Sequence, residues 1–161
     1  MAVANVTFVQ APDVVLGDGA SNTTPGNAPA SAFNGTTWDR KRNNTELTLL
    51  ASAARTITTD SADQTNFNGR GIHVVVDITA GAVLSLVVTI QGKDPVSGKY
   101  YTLLASAALT GVGTTVLRVY PALLAVANTI ANDIVPRTWR VDVAAGNATS
   151  ATYSVGAIVV R

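Results

Sequence analysis

One histidine, His73, and no cysteine in 161 residues remove most of the side-chain chemistry that enzymes use. Without cysteine there is no thiolate nucleophile, no disulfide and no Cys-based zinc site. With one imidazole there is no His-His metal pair, and a Ser-His-Asp relay has only His73 to build on. Strand alternation puts His73 on the same side as Asp77 and Thr79, an arrangement able to carry a proton or sense pH. A single such pair reads more simply as a surface or interface contact, because no motif places a nucleophile beside it.

The other chemical motifs reduce to turns. Gly92-Lys93-Asp94-Pro95-Val96-Ser97-Gly98-Lys99 imitates a phosphate-binding loop. That loop needs four residues between its glycines and a Ser or Thr after the lysine; here five intervene and Tyr100 follows. The segment also lies between two predicted strands, with no helix N-terminus to face a phosphate. Asp60-Ser61-Ala62-Asp63-Gln64-Thr65-Asn66 has the composition of a calcium loop but lacks its glycine and closing glutamate. Asp13, Asp18, Asp94 and Asp133 are isolated turn residues. No catalytic, cofactor-binding or metal-ligating residue is therefore assigned, and the chain is not expected to be an enzyme.

The one dense basic cluster is Trp38-Asp39-Arg40-Lys41-Arg42. Trp38, Arg40, Lys41 and Arg42 are the candidate partner-binding residues, suited to an acidic surface, the equal alternative being a hydrated hinge whose Trp38 anchors the arm to the domain. Three cations are too few for a nucleic-acid stripe, and the net charge of +1 agrees with that. Asn-X-Thr sequons at Asn5, Asn22, Asn34, Asn43 and Asn147 follow from abundant Asn and Thr.

The elements that position these residues read as strands. Residues 11–37 are rich in Pro, Gly, Asn and Ser, which favour turns and extended backbone, so residues 1–37 are expected to form an extended N-terminal arm. Asn5 to Val9 is the one stretch there able to add a strand. From Leu47 onward the apolar period is two. Ile72, Val74, Val76 and Ile78 should face a core, as should Leu84, Leu86, Val88 and Ile90. Trp139, Val141 and Val143, then Tyr153, Val155, Ala157 and Val159, continue the pattern. Tyr100 to Ser106 and Thr114 to Tyr120 are two more strands. Glycine-bearing turns at Gly81, Gly98, Gly111-Val112-Gly113 and Gly146 carry hairpin chemistry. Leu47 to Ala54 is ambiguous between strand and helix, and Pro121 to Ile134 fits a helical turn or a long crossover. The expected fold is all-β, an antiparallel β-sandwich or jelly-roll-like barrel over residues 38–161.

Composition fits a soluble domain of unusual surface. Only 13% of residues are charged, against about 25% in an average protein, and 47% are hydrophobic. The longest uncharged runs are broken by Thr, Ser and Gly and do not reach the roughly 20 apolar residues of a spanning helix, so no membrane role is expected. The N-terminus has no basic stretch followed by an apolar core, which predicts no secretion signal.

Blocks of the sequence do resemble a known group. Trp38 to Glu46, Leu49 to Thr56, Ser61 to Gly71, Ile90 to Leu104, Leu117 to Pro121 and Pro136 to Val141 are similar to small structural proteins of tailed bacteriophages. The resemblance covers residues 38–161 and implies a virion component made in the host cytoplasm. It implies first a head decoration, or cement, protein on the outer capsid surface. The partners it implies are the major capsid protein and further copies of the chain, with a trimer favoured; no cofactor is implied. The alternative is a tail, fibre or surface module that binds host glycans, with Tyr100, Tyr101, Tyr120 and Tyr153 as stacking candidates.

Overall fold

A computed structural model describes residues 31–33, 36, 38–40, 44–147 and 149–161. The chain divides into two units between Arg42 and Asn43. The division falls beyond the expected boundary at residue 38 because Trp38–Arg40 (β2) pairs antiparallel with Ser31–Phe33 (β1), Phe33 opposite Trp38. Apart from Thr36, the remainder of the expected arm, with Asn5 to Val9, lies outside the described residues.

The second unit is a β-sandwich of two mostly antiparallel sheets. Its strands are β3 (Thr45–Arg55), β4 (Thr59–Asp60), β5 (Gln64–Thr65), β6 (Gly71–Ala80), β7 (Leu86–Lys93), β8 (Tyr100–Ala105), β9 (Gly113–Val119), β10 (Ile130–Ala131), β11 (Thr138–Ala145) and β12 (Ala151–Val160). One sheet runs β10-β9-β6-β12-β3, and the other runs β4-β11-β7-β8 with β5 also on β11. Among the described residues, only the β9–β10 pair is parallel. Among the described residues there is no helix, so Leu47 to Ala54 belongs to a strand and the segment after Pro121 is irregular but for β10.

Alternation builds the core. Ile72, Val74, Val76, Ile78, Leu117, Tyr153 and Val155 of the first sheet meet Val88, Ile90, Trp139, Val141 and Val143 of the second, all at most 3% exposed. Each such aliphatic side chain contributes about 1.5–3 kcal/mol on leaving water. Outward positions on the same strands carry Thr, Ser, Gln and scattered charges.

The turns correct one expectation. Of the four glycine-bearing connections read as hairpins, only the one between β7 and β8 joins neighbouring strands. Those at Gly81, Gly111 to Gly113 and Gly146 carry the chain from one sheet to the other. Gly and Asn supply the backbone freedom to reverse direction, but that freedom serves a jump between layers as well as a hairpin.

Candidate interaction surface

The residues first considered for chemistry are spent on the fold. His73 stands opposite Arg118 across β6–β9, and the Arg118 Nε–H donates to His73 Nε2. Burial, then the Arg118 charge, holds the imidazole below its ordinary pKa. The ring is thus neutral near pH 7, with its lone pair already used. Asp77 accepts instead from Thr114 Oγ1 at 2.9 Å. Four residues along a strand span about 13 Å, so His73 and Asp77 share a face without pairing.

The carboxylates of the calcium-like segment are likewise engaged. Lys93 Nζ donates to Asp63 Oδ2 at 2.7 Å and the Tyr100 hydroxyl donates to Asp63 Oδ1 at 2.7 Å, which hold Asp63 below the usual carboxylate range. Arg140 donates to Asp60 at 2.6 Å and to Gln91 at 2.8 Å, and its guanidinium lies 3.6 Å from the centre of the Tyr100 ring. Asp142 sits opposite Asp60 in register. Burial first, and then the hydrogen bond and charge of Asp60, push Asp142 up to about 6. Asn66 closes its loop by accepting from the Gly69 N–H and donating to the Gly69 and Val135 carbonyls. Among the described residues no three His, Asp or Glu side chains converge in a way that could hold a metal ion.

The candidate partner-binding cluster is only partly described. Trp38 and Arg40 stand at the two ends of β2, and Lys41 and Arg42 lie outside the described residues. The tyrosines separate by environment. Tyr153 is 1% exposed and belongs to the core, whereas Tyr101 is 46% exposed. Tyr100 is half-buried in the Arg140 network, and Tyr120 is half-buried with its ring over Gly71.

A different segment stands out for what it leaves uncovered. Between Arg118 and Arg137 the sequence has one charged residue, Asp133. In the loop that follows β9, Leu124 is 87% exposed, Val126 47% and Ile134 68%. The loop nevertheless has a fixed backbone. Arg118 N–H donates to the Thr129 carbonyl at 2.9 Å and Tyr120 N–H to the Ala131 carbonyl at 3.1 Å, the parallel pairing that defines β10. Val126 and Ile130 exchange backbone hydrogen bonds of 3.0 and 2.9 Å around a tight turn with Asn128 at φ 63°. Ala122, at φ 68°, donates its N–H to Asn132 Oδ1 at 2.8 Å. A left-handed alanine costs about 1–2 kcal/mol, so the surrounding bonds hold it there.

Beside the loop, Ile72, His73, Arg118, Tyr120, Leu123 and Val160 line a mostly apolar hollow of about 270 Å³. Exposed apolar side chains on a pinned backbone, next to an apolar hollow, make this the candidate contact surface. The signal in the sequence was an apolar, nearly charge-free run between Pro121 and Pro136, whose pattern fitted a helical turn or a long crossover. The chain matches no protein-family model and no curated protein sequence.

Proposed function

We propose that this chain is a structural protein of a tailed-bacteriophage virion, a head decoration protein that binds the outer capsid surface and stabilises the shell. The observation that carries the reading is the pinned, nearly charge-free loop with Leu124, Val126 and Ile134 exposed to solvent. Interface cores are depleted of charge and enriched in apolar side chains, so this surface suits permanent cover by a neighbour. The similarity of residues 38–161 to phage structural proteins supplies the biological setting. The major capsid protein and further copies of the chain, in a trimer, are the partners. Weak contacts repeated over a symmetric lattice give tight retention through avidity. Trp38, Arg40, Lys41 and Arg42 serve as a second contact, suited to an acidic capsid patch.

Leu124→Asp tests the loop. Leu124 packs little against its own fold, so the variant should keep its unfolding free energy within about 0.5 kcal/mol. Its incorporation into particles lacking the protein should fall by about tenfold or more, the penalty of burying an unpaired charge at an interface. Undiminished incorporation would remove the loop from the contact.

A further inference from the structure

A groove lies at one end of the second sheet, where the β7–β8 hairpin meets the start of β11. Gly92 stands opposite Tyr101 in register. A Cβ on Gly92 would lie 2.5 Å from Tyr101 Cζ and 2.8 Å from Pro136 Cγ. The tyrosine ring and Pro136 therefore both lie over the glycine, while 46% of Tyr101 stays open to solvent. Between this ring, the hairpin loop and residues 136–138 is a space of about 570 Å³, within the range of about 300–1,000 Å³ that small-ligand sites occupy.

The loop that forms one wall is itself rigid. Asp94 N–H donates to the Lys99 carbonyl at 2.8 Å, Gly98 N–H donates to the Asp94 carbonyl at 2.9 Å, and Gly98 adopts φ 70°. The Asp94 carboxylate accepts from Val96 N–H at 3.0 Å and from the Ser97 hydroxyl at 2.5 Å. Asp63 is fixed by Lys93 and Tyr100 as described above. Each carboxylate keeps acceptor sites to spare, since an ionised carboxylate offers about four. Arg137 lies 5.7 Å from the centre of the Phe67 ring, and its guanidinium makes no hydrogen bond to another described residue. The groove thus presents an aromatic face, two oriented carboxylates and an open planar donor.

We propose that this groove binds a neutral pyranose sugar. The C–H face of the ring stacks on Tyr101, vicinal hydroxyls donate to Asp63 and Asp94, and Arg137 donates to a hydroxyl or ring oxygen. Charge decides for a neutral ligand. Lys93 and Arg137 balance Asp63 and Asp94, so an anionic sugar meets two carboxylates and gains no net attraction. The assignment stands apart from the capsid role, because Leu124, Val126, Ile134 and the cluster at Trp38 to Arg42 take no part in it.

Saturation-transfer and chemical-shift NMR with the full chain tests it, using a panel of neutral methyl glycosides and oligosaccharides beside sulfated and uronate-bearing counterparts. The expected result is saturable shifts centred on Gly92, Tyr101 and Arg137 with at least one neutral sugar, at a Kd on the order of 1 mM. Tyr101→Ala and Arg137→Ala should each weaken binding about tenfold, while Tyr101→Phe retains it. The Arg137 side chain makes no hydrogen bond to another described residue, and its backbone carbonyl, which accepts from Asn66 N–H at 2.7 Å, is kept in the variant, so Arg137→Ala remains informative if Tyr101→Ala does not fold. Binding of acidic sugars alone, shifts that map elsewhere, or no response to any neutral sugar would overturn the assignment.

Discussion

Asp142 is held against its own preference. A partly buried carboxyl opposite Asp60 stays protonated up to about pH 6, whereas its unfolded value is near 3.8. Because the folded pKa is raised, the stabilising contribution is complete below the unfolded value and is lost as pH rises through about 6. Asp142→Asn mimics the protonated form at every pH. The variant should match the parent chain in acid and exceed it at neutral pH by on the order of 1 kcal/mol, after allowing for solvent screening of a partly exposed site. Urea unfolding at the two pH values measures the difference; an equal effect at both would show that Asp142 does not titrate as described. This pairing was invisible in the sequence, where Asp60 and Asp142 are far apart. The His73–Asp77 alignment was legible, since alternation fixes which side of a strand each residue takes. Its chemistry was not, because Arg118 and Thr114 come from another strand and capture both groups first.

At the scale of elements, two serines extend the second sheet where its edge strands stop. Ser61 donates its N–H to the Val141 carbonyl at 2.8 Å, and its Oγ accepts the Val141 N–H at 3.0 Å. Ser106 makes the same pair of bonds with Val88, at 2.8 and 3.0 Å. Both serines are buried, at 5% and 6% exposure. Ser61→Ala or Ser106→Ala leaves a strand N–H without a partner away from water, a loss of about 1–3 kcal/mol. Thermal and denaturant unfolding should show this for each variant, and a change below about 0.5 kcal/mol would mean that water replaces the hydroxyl. Strand positions and core faces followed from period two, down to Trp139 and Tyr153. The layer each strand joins did not follow, because turn residues encode a reversal and not its destination. The ambiguous stretch at Leu47 to Ala54 became a strand when it paired with β12, with two register irregularities between Leu47 and Ala53. Local propensity yields to such tertiary pairing.

For the whole molecule, the low charge has two structural explanations. Part of the apolar share fills the space between the sheets; part, in the loop after β9, faces outward. The sequence pointed to assembly through its basic cluster at Trp38 to Arg42. The proposed function makes the exposed loop a second contact, which the sequence did not flag because the stretch from Pro121 to Ile134 fitted a helical turn or a crossover. The proposed decoration role makes this arrangement useful: the sandwich supplies rigidity, and the pinned loop supplies apolar surface for a neighbour to cover. The most direct test is electron cryo-microscopy of purified virions that carry this chain. The account predicts density for the β-sandwich on the outside of the head, in a copy number set by capsid symmetry, with the loop at Leu124 against the major capsid protein. Density confined to the tail, or none on the particle, would contradict it.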